Sequence, residues 1–135
     1  MNNTKIRDDL TIIIPAKNEE SGLSQTLPRL RQLYPHAEII VVNDSSTDNT
    51  LGVCRSYNVT VISHPYGMGN GAAIKAGARA AKTEFLVFMD ADGQHDPDDL
   101  PKLVAKLHEG YDMVVGARHS SSQASLGRSY ANHIY

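Results

Sequence analysis

Cys54 is the single cysteine in 135 residues, so no internal disulfide braces this chain. Its neighbours Val53 and Arg55, on an expected helix, mark it as a packing residue rather than a reactive thiol. Long apolar runs are missing too. Nothing approaches the ~18 uninterrupted apolar residues of a membrane span, and the polar start MNNTKIRDD lacks the apolar stretch of a secretory signal. A cytoplasmic location is expected. Nor is there an excess of positive charge: 13 basic against 15 acidic residues leave a net −2, which excludes a general pull on nucleic acid. His64, His95, His108, His119 and His133 are scattered, with no i, i+4 pair on one helix, which argues against a zinc site. There is no internal repeat, low-complexity tract or linker, and residues 1–135 are expected to form a single domain.

What remains is an ordinary globular composition, 41% apolar and 21% charged, arranged in alternation. Apolar, β-branched runs at Leu10–Ile14, Glu38–Val42, Val59–Ile62, Phe85–Met89 and Met113–Val115 predict strands covered on both faces. Helical patterns lie between them. Leu100, Leu103, Val104 and Leu107 share one face behind an Asp96-Pro97 start signal. Gly71–Lys82 is alanine-rich, with side chains small enough for close approach to a sheet. Ser46, Thr47 and Asp48 can cap a helix running toward Arg55. Leu23, Leu27, Leu30 and Tyr34 share a face, with Pro28 inside expected to kink that helix or delay its start. Strict alternation predicts an α/β fold, a mostly parallel sheet with helices on both faces.

In such a sheet ligands bind outside the carboxyl ends of the strands, so the residues after each strand carry the functional information. These are Pro15-Ala16-Lys17-Asn18-Glu19-Glu20, Asn43-Asp44-Ser45-Ser46-Thr47-Asp48, Asp90-Ala91-Asp92-Gly93-Gln94 and Gly116-Ala117-Arg118. Each loop has a plain explanation, because Asn, Asp and Ser before a helix are usually caps, and this weighs most for Asp48. Taken together, acids at three strand ends and an arginine at the fourth make a site for a diphosphate. The carboxylates hold a hard cation and the guanidinium grips phosphate oxygens. His95, one residue beyond Gln94, is near enough in sequence to approach such a site, with plain loop status the default.

In order along the chain, IIIPAKNEE, IIVVNDSSTDNT, GNGAAIKAG, FMDADGQHDP and VGAR resemble the motifs of family 2 glycosyltransferases with the GT-A fold. Within that family the resemblance is to the dolichyl-phosphate mannosyltransferase and polyprenyl-phosphate glycosyltransferase branch, over about Leu10 to Arg118. It implies a Rossmann-like nucleotide-binding half and inverting transfer of mannose or glucose from a GDP- or UDP-hexose to a polyprenyl phosphate. It also implies residue roles. Pro15, Glu19, Val42 and Asp44, with Lys17 beside them, contact base and ribose. Asp90, Asp92 and Gln94 hold Mg²⁺ or Mn²⁺, Ala91 lies beside the donor sugar or ribose, and Arg118 contacts the diphosphate. Asp92 and Arg118 are the groups expected to carry catalysis. An anionic phosphate acceptor needs no general base.

The chain departs from the family pattern in places. Lys17 stands where many relatives carry an aromatic that stacks on the base, and Asn70 sits in a Gly-x-Gly whose centre is often lysine. Catalytic domains of this kind normally continue past the point where this chain stops. The expectation is therefore a C-terminally truncated donor-binding portion whose membrane-contacting elements lie elsewhere. Alternatives are a saccharide acceptor, an inactive nucleotide-binding remnant, or a nicotinamide-dinucleotide module based on Gly67-x-Gly69-x-x-Ala72. The last requires its first glycine to leave a strand directly, whereas Ser63-His64-Pro65-Tyr66 intervenes.

Overall fold

The structure, a computed structural model, describes residues 9–92 and 95–114. The chain divides into two compact units, Met1–Gln94 and His95–Tyr135. In the first, β1 (Leu10–Ala16), β2 (Glu38–Asn43), β3 (Thr60–Ser63) and β4 (Phe85–Phe88) form a parallel sheet in the order β3-β2-β1-β4. The connecting helices are α1 (Glu20–Leu33), α2 (Thr50–Arg55) and α3 (Asn70–Ala80). In the second unit a 3₁₀ turn, Pro97–Asp99, leads into α4 (Leu100–His108).

The strand order fixes where the helices lie. The chain steps outward from β1 to β2 to β3, then crosses back to the far side of β1 to form β4. With right-handed crossovers, α1 and α2 fall on one face and α3 on the other. The alanine-rich stretch does what its small side chains predict. Ala73 is buried with Ile13, Ile40 and Val42, and a Cβ added at Gly77 would collide with Ile13 Cγ2, so α3 lies tight on the sheet. By strand alternation Ile12, Ile14, Ile39 and Val41 point to the opposite face, and all four are buried.

Several expectations are refined. β1 runs through Pro15 and Ala16, which the sequence reading puts in a loop; Pro15 pairs in register with Val42. The central strands β1 and β2 are buried on both faces, but β3 and β4 are half-exposed because each is an outer strand of the described sheet. Pro28 does not delay α1, which starts at Glu20, because the buried stripe Leu23, Thr26, Leu27 and Leu30 spans the proline on both sides. Asp96 caps as expected, accepting a hydrogen bond from the Asp98 amide at 3.0 Å, but the first turn it starts is 3₁₀. Of the strand expected at Met113–Val115, Met113 and Val114 are in no strand and Val115 lies outside the described residues. No helix among the described residues is long and apolar enough to cross a membrane.

Candidate functional site

The order β3-β2-β1-β4 reverses direction between β1 and β4, and the crevice beyond the carboxyl ends at that reversal is where open α/β sheets bind ligands. A cavity of about 480 Å³ lies there. It is lined from β1 and its loop by Pro15, Ala16, Lys17 and Glu19, from β2 by Asp44, and from β4 by Asp90, Ala91 and Asp92. Gly67, Gly69, Asn70 and Ala73, before and within α3, complete it. The spacing in sequence therefore converges in space as the strand ends predict.

One site residue is placed elsewhere. Val42 is fully buried in the core with Ile13, Ile40 and Ala73 and does not line the cavity, because strand alternation turns its side chain under α3. Gln94 and Arg118 lie outside the described residues. His95 belongs to the second unit and is not among the lining residues.

The carboxylates of the cavity repel one another. Glu19 is raised above its usual carboxylate pKa, first by burial and then by the negative charges of Asp92, Asp48 and Asp90. Among the described residues no group of three His, Cys, Asp or Glu side chains converges closely enough to hold a metal by itself. Two strand-end carboxylates, Asp90 and Asp92, instead suit an ion such as Mg²⁺. That ion is commonly held by one or two carboxylates and completes its shell with water and phosphate oxygens. The local excess of negative charge and the all-oxygen donor set fit that chemistry.

The loops around the cavity are knitted by groups that sequence patterns do not rank. Asn18 sits at φ +56°, a left-handed conformation that asparagine tolerates, and its Oδ1 accepts from the amides of Thr47 (2.7 Å) and Asp48 (3.3 Å). Its own amide donates to Ser46 Oγ at 2.9 Å, so the β1 and β2 loops are one body. Asp48 serves the starts of two helices from outside their N-cap positions, which Glu19 and Asn49 occupy: it accepts from the Thr50 amide and hydroxyl and from the Glu20 amide. The Thr50 hydroxyl bond, then the Thr50 and Glu20 amides, hold its carboxyl below the usual range. Gly22 is the other hidden requirement. A Cβ there would collide with the Ala91 carbonyl oxygen, so only glycine lets α1 lie against the loop that carries Asp90 and Asp92.

Asp44 is 6% exposed and is held well within the fold. Its carboxyl is kept below the usual range chiefly by the Met68 amide and His64, with the Gly69 amide adding to them. The dinucleotide alternative fails on geometry: β3 ends at Ser63 and α3 begins at Asn70, so Gly67 neither leaves the strand directly nor opens the helix.

Comparison with known proteins agrees with this architecture. The mannosyltransferase PcManGT from Pyrobaculum calidifontis, solved in complex with GDP-Man and Mn²⁺, superposes with TM-score 0.67 at 26% identity, covering 79% of this chain and 34% of that one. Glucosyl-3-phosphoglycerate synthase from Mycobacterium tuberculosis, solved with Mn²⁺, UDP and glucosyl-3-phosphoglycerate, gives TM-score 0.69 at 26% identity, covering 84% and 44%. In sequence, the undecaprenyl-phosphate 4-deoxy-4-formamido-L-arabinose transferase of Shewanella sediminis is 33% identical over 131 residues, 90% of this chain and 40% of that protein. The chain spans less than half the length of this and other curated relatives that it matches. The sequence profile described as glycosyl transferase family 2 matches residues 11–134, nearly the whole chain, and the chain therefore belongs to that family.

Proposed function

We propose that this chain is the donor-binding portion of an inverting glycosyltransferase that moves a hexose, mannose or glucose, from a GDP- or UDP-sugar to a polyprenyl phosphate at the cytoplasmic face of a membrane. The observation that carries the reading is the acid-lined cavity at the switch point between β1 and β4, with Asp90, Asp92 and Glu19 on its wall. Among the similar solved structures, one holds GDP-Man and another UDP, both with Mn²⁺. The polyprenyl acceptor is supported by the undecaprenyl-phosphate transferases among the relatives.

In this reading Asp90, Asp92 and Gln94 hold Mg²⁺ or Mn²⁺, which supplies charge neutralisation for the departing nucleotide diphosphate. Arg118 grips the same diphosphate in a charge-assisted fork. Pro15, Val42, Glu19 and Asp44 frame the nucleoside, with Val42 contributing from beneath the surface. Lys17, exposed at the rim, offers an aliphatic stem and a charge where an aromatic ring would stack. Ala91, buried at the base of the cavity, leaves room for the sugar or ribose. The acceptor phosphate is already an anion, so no side chain is required to deprotonate it.

Calorimetric titration of GDP, GDP-mannose, UDP and UDP-glucose, each with and without Mn²⁺, tests the reading. Binding of one nucleotide series that depends on the metal is expected. Binding indifferent to metal, or none in either series, would sink it.

A further inference from the structure

The six residues between β3 and α3, 64–69, form a wall of the cavity through Gly67 and Gly69. They have little apolar anchorage: residues 65–69 are all exposed, Tyr66 at 63% and Met68 at 46%. A loop of that kind is held by hydrogen bonds or not at all. Its bonds converge on one carboxylate. Asp44 Oδ1 accepts from the Met68 amide at 2.9 Å and meets His64 Nδ1 at 3.0 Å, and Oδ2 accepts from the Gly69 amide at 3.0 Å.

Both ends of this arrangement are fixed to the sheet. The His64 amide donates to Asn43 O at 2.9 Å, continuing the β2–β3 ladder one step past the strand. The Asp44 amide donates to Ala16 O at 2.9 Å, continuing the β1–β2 ladder in the same way. Gly69 has φ +94°, a conformation a side chain would resist, and its carbonyl accepts the Ala73 amide at 3.1 Å in the first turn of α3. The turn that aims the Gly69 amide at Asp44 is thus the turn that starts α3.

We infer that Asp44 and His64 form a latch that shapes the nucleoside side of the cavity by fixing residues 64–69, with His64 a positioning residue. A carboxylate only accepts, so His64 Nδ1 is the donor, and the imidazole holds Asp44 in the orientation that receives two amides at once. Three bonds use most of the acceptor capacity of the carboxylate. Asp44 therefore acts on a ligand largely through the wall it holds. The link to ligand binding rests on the nucleotide-sugar reading above, but the latch itself is testable without any ligand.

The experiment compares the full chain with His64→Ala, His64→Asn and Asp44→Asn. Amide hydrogen exchange is followed in the ligand-free proteins, and GDP and UDP affinity is measured in the presence of Mn²⁺. His64→Ala and Asp44→Asn should speed exchange at Met68 and Gly69 by about tenfold, the loss of roughly one buried hydrogen bond, with β1 and β2 amides unchanged. His64→Ala should weaken nucleotide binding by about the same factor, and His64→Asn, which keeps a donor near the Nδ1 position, should restore both readouts. Unchanged exchange at Met68 and Gly69 in His64→Ala overturns the latch, whatever the affinity does. Faster exchange in a protein that binds neither nucleotide upholds the latch and removes the nucleotide reading instead. If Asp44→Asn fails to fold, the two His64 variants decide the matter.

Discussion

At the amino end of β2 and β3 one positive group is surrounded by carbonyl oxygens, whereas at the carboxyl end of β1 and β4 carboxylates face one another. The positive group is Arg31. Its guanidinium donates to Ala37 O (2.7 Å), Asn58 O (2.8 Å) and Tyr57 O (3.3 Å), with a longer approach to Tyr34 O (3.5 Å). Burial lowers its pKa, yet an arginine stays charged, and the carbonyls satisfy it. One side chain therefore ties the end of α1 to the approach to β2 and the turn before β3. The acidic end is arranged the other way, with Glu19 pushed up by its neighbours. Carbonyl oxygens satisfy the guanidinium at one end, whereas at the other, the candidate site, like charges lie close enough to raise Glu19.

The sharpest way to break this contrast is to remove an acid. Asp92→Ala should reduce Mn²⁺-dependent nucleotide affinity by at least about 100-fold. Its urea unfolding midpoint should not fall, because Asp92 is exposed and its charge burdens Glu19. The reverse pattern is expected at the other end. Arg31→Ala should cost about 2 kcal/mol in urea unfolding by stranding partly buried carbonyls, and Arg31→Lys should recover less than half, since an ammonium cannot fork to several of them.

A smaller effect, of opposite sign, is expected in the β2 loop. Ser45 sits at φ +67°, so Ser45→Gly should raise stability by about 0.5–1 kcal/mol in the same assay. The smallest effect concerns pH. Glu19 has a raised folded pKa, so its ionised form costs stability at neutral pH and the cost fades as protonation sets in. Glu19→Gln should be slightly more stable than the parent at pH 7 without metal, and indistinguishable from it below about pH 4. Asp44 and Asp48 have the opposite sign. Their depressed values contribute stability above the ordinary carboxylate range that is lost as pH falls through the folded values. Thermal unfolding across pH, with and without Mn²⁺, separates the two trends.

The fold and the gathering of strand-end residues at one cavity, the candidate site, were legible because they depend on period and order. Apolar runs of strand length, the alanine-rich α3 and the acids after β1, β2 and β4 are local signals whose convergence follows from the crossover rule. The contacts that give the site its shape were not. Arg31 and Gly22 match no sequence pattern, Asn18 is one residue among several in its loop, and His64 is one of the scattered histidines. Partners 20 or more residues away in sequence make these contacts, Thr47 and Asp48 for Asn18, Asp44 for His64, and Asn58 and Tyr57 for Arg31 beside its nearer acceptors Ala37 and Tyr34. No periodicity encodes such pairings. Val42 shows the converse limit, since a motif places a residue next to a ligand without saying whether side chain or backbone faces it.

Helix α1 joins the two ends that the comparison sets apart. Gly22 in its first turns touches the Ala91 carbonyl, and Arg31 in its last turn grips the strand approaches, nine residues and so about 14 Å further along the axis. The helix is thus a strut between the anchored floor of the sheet and the rim of the candidate site. Displacing Ala91 toward α1 would press it on a helix that Arg31 holds at its far end, so the backbone between Asp90 and Asp92 is buttressed from that side.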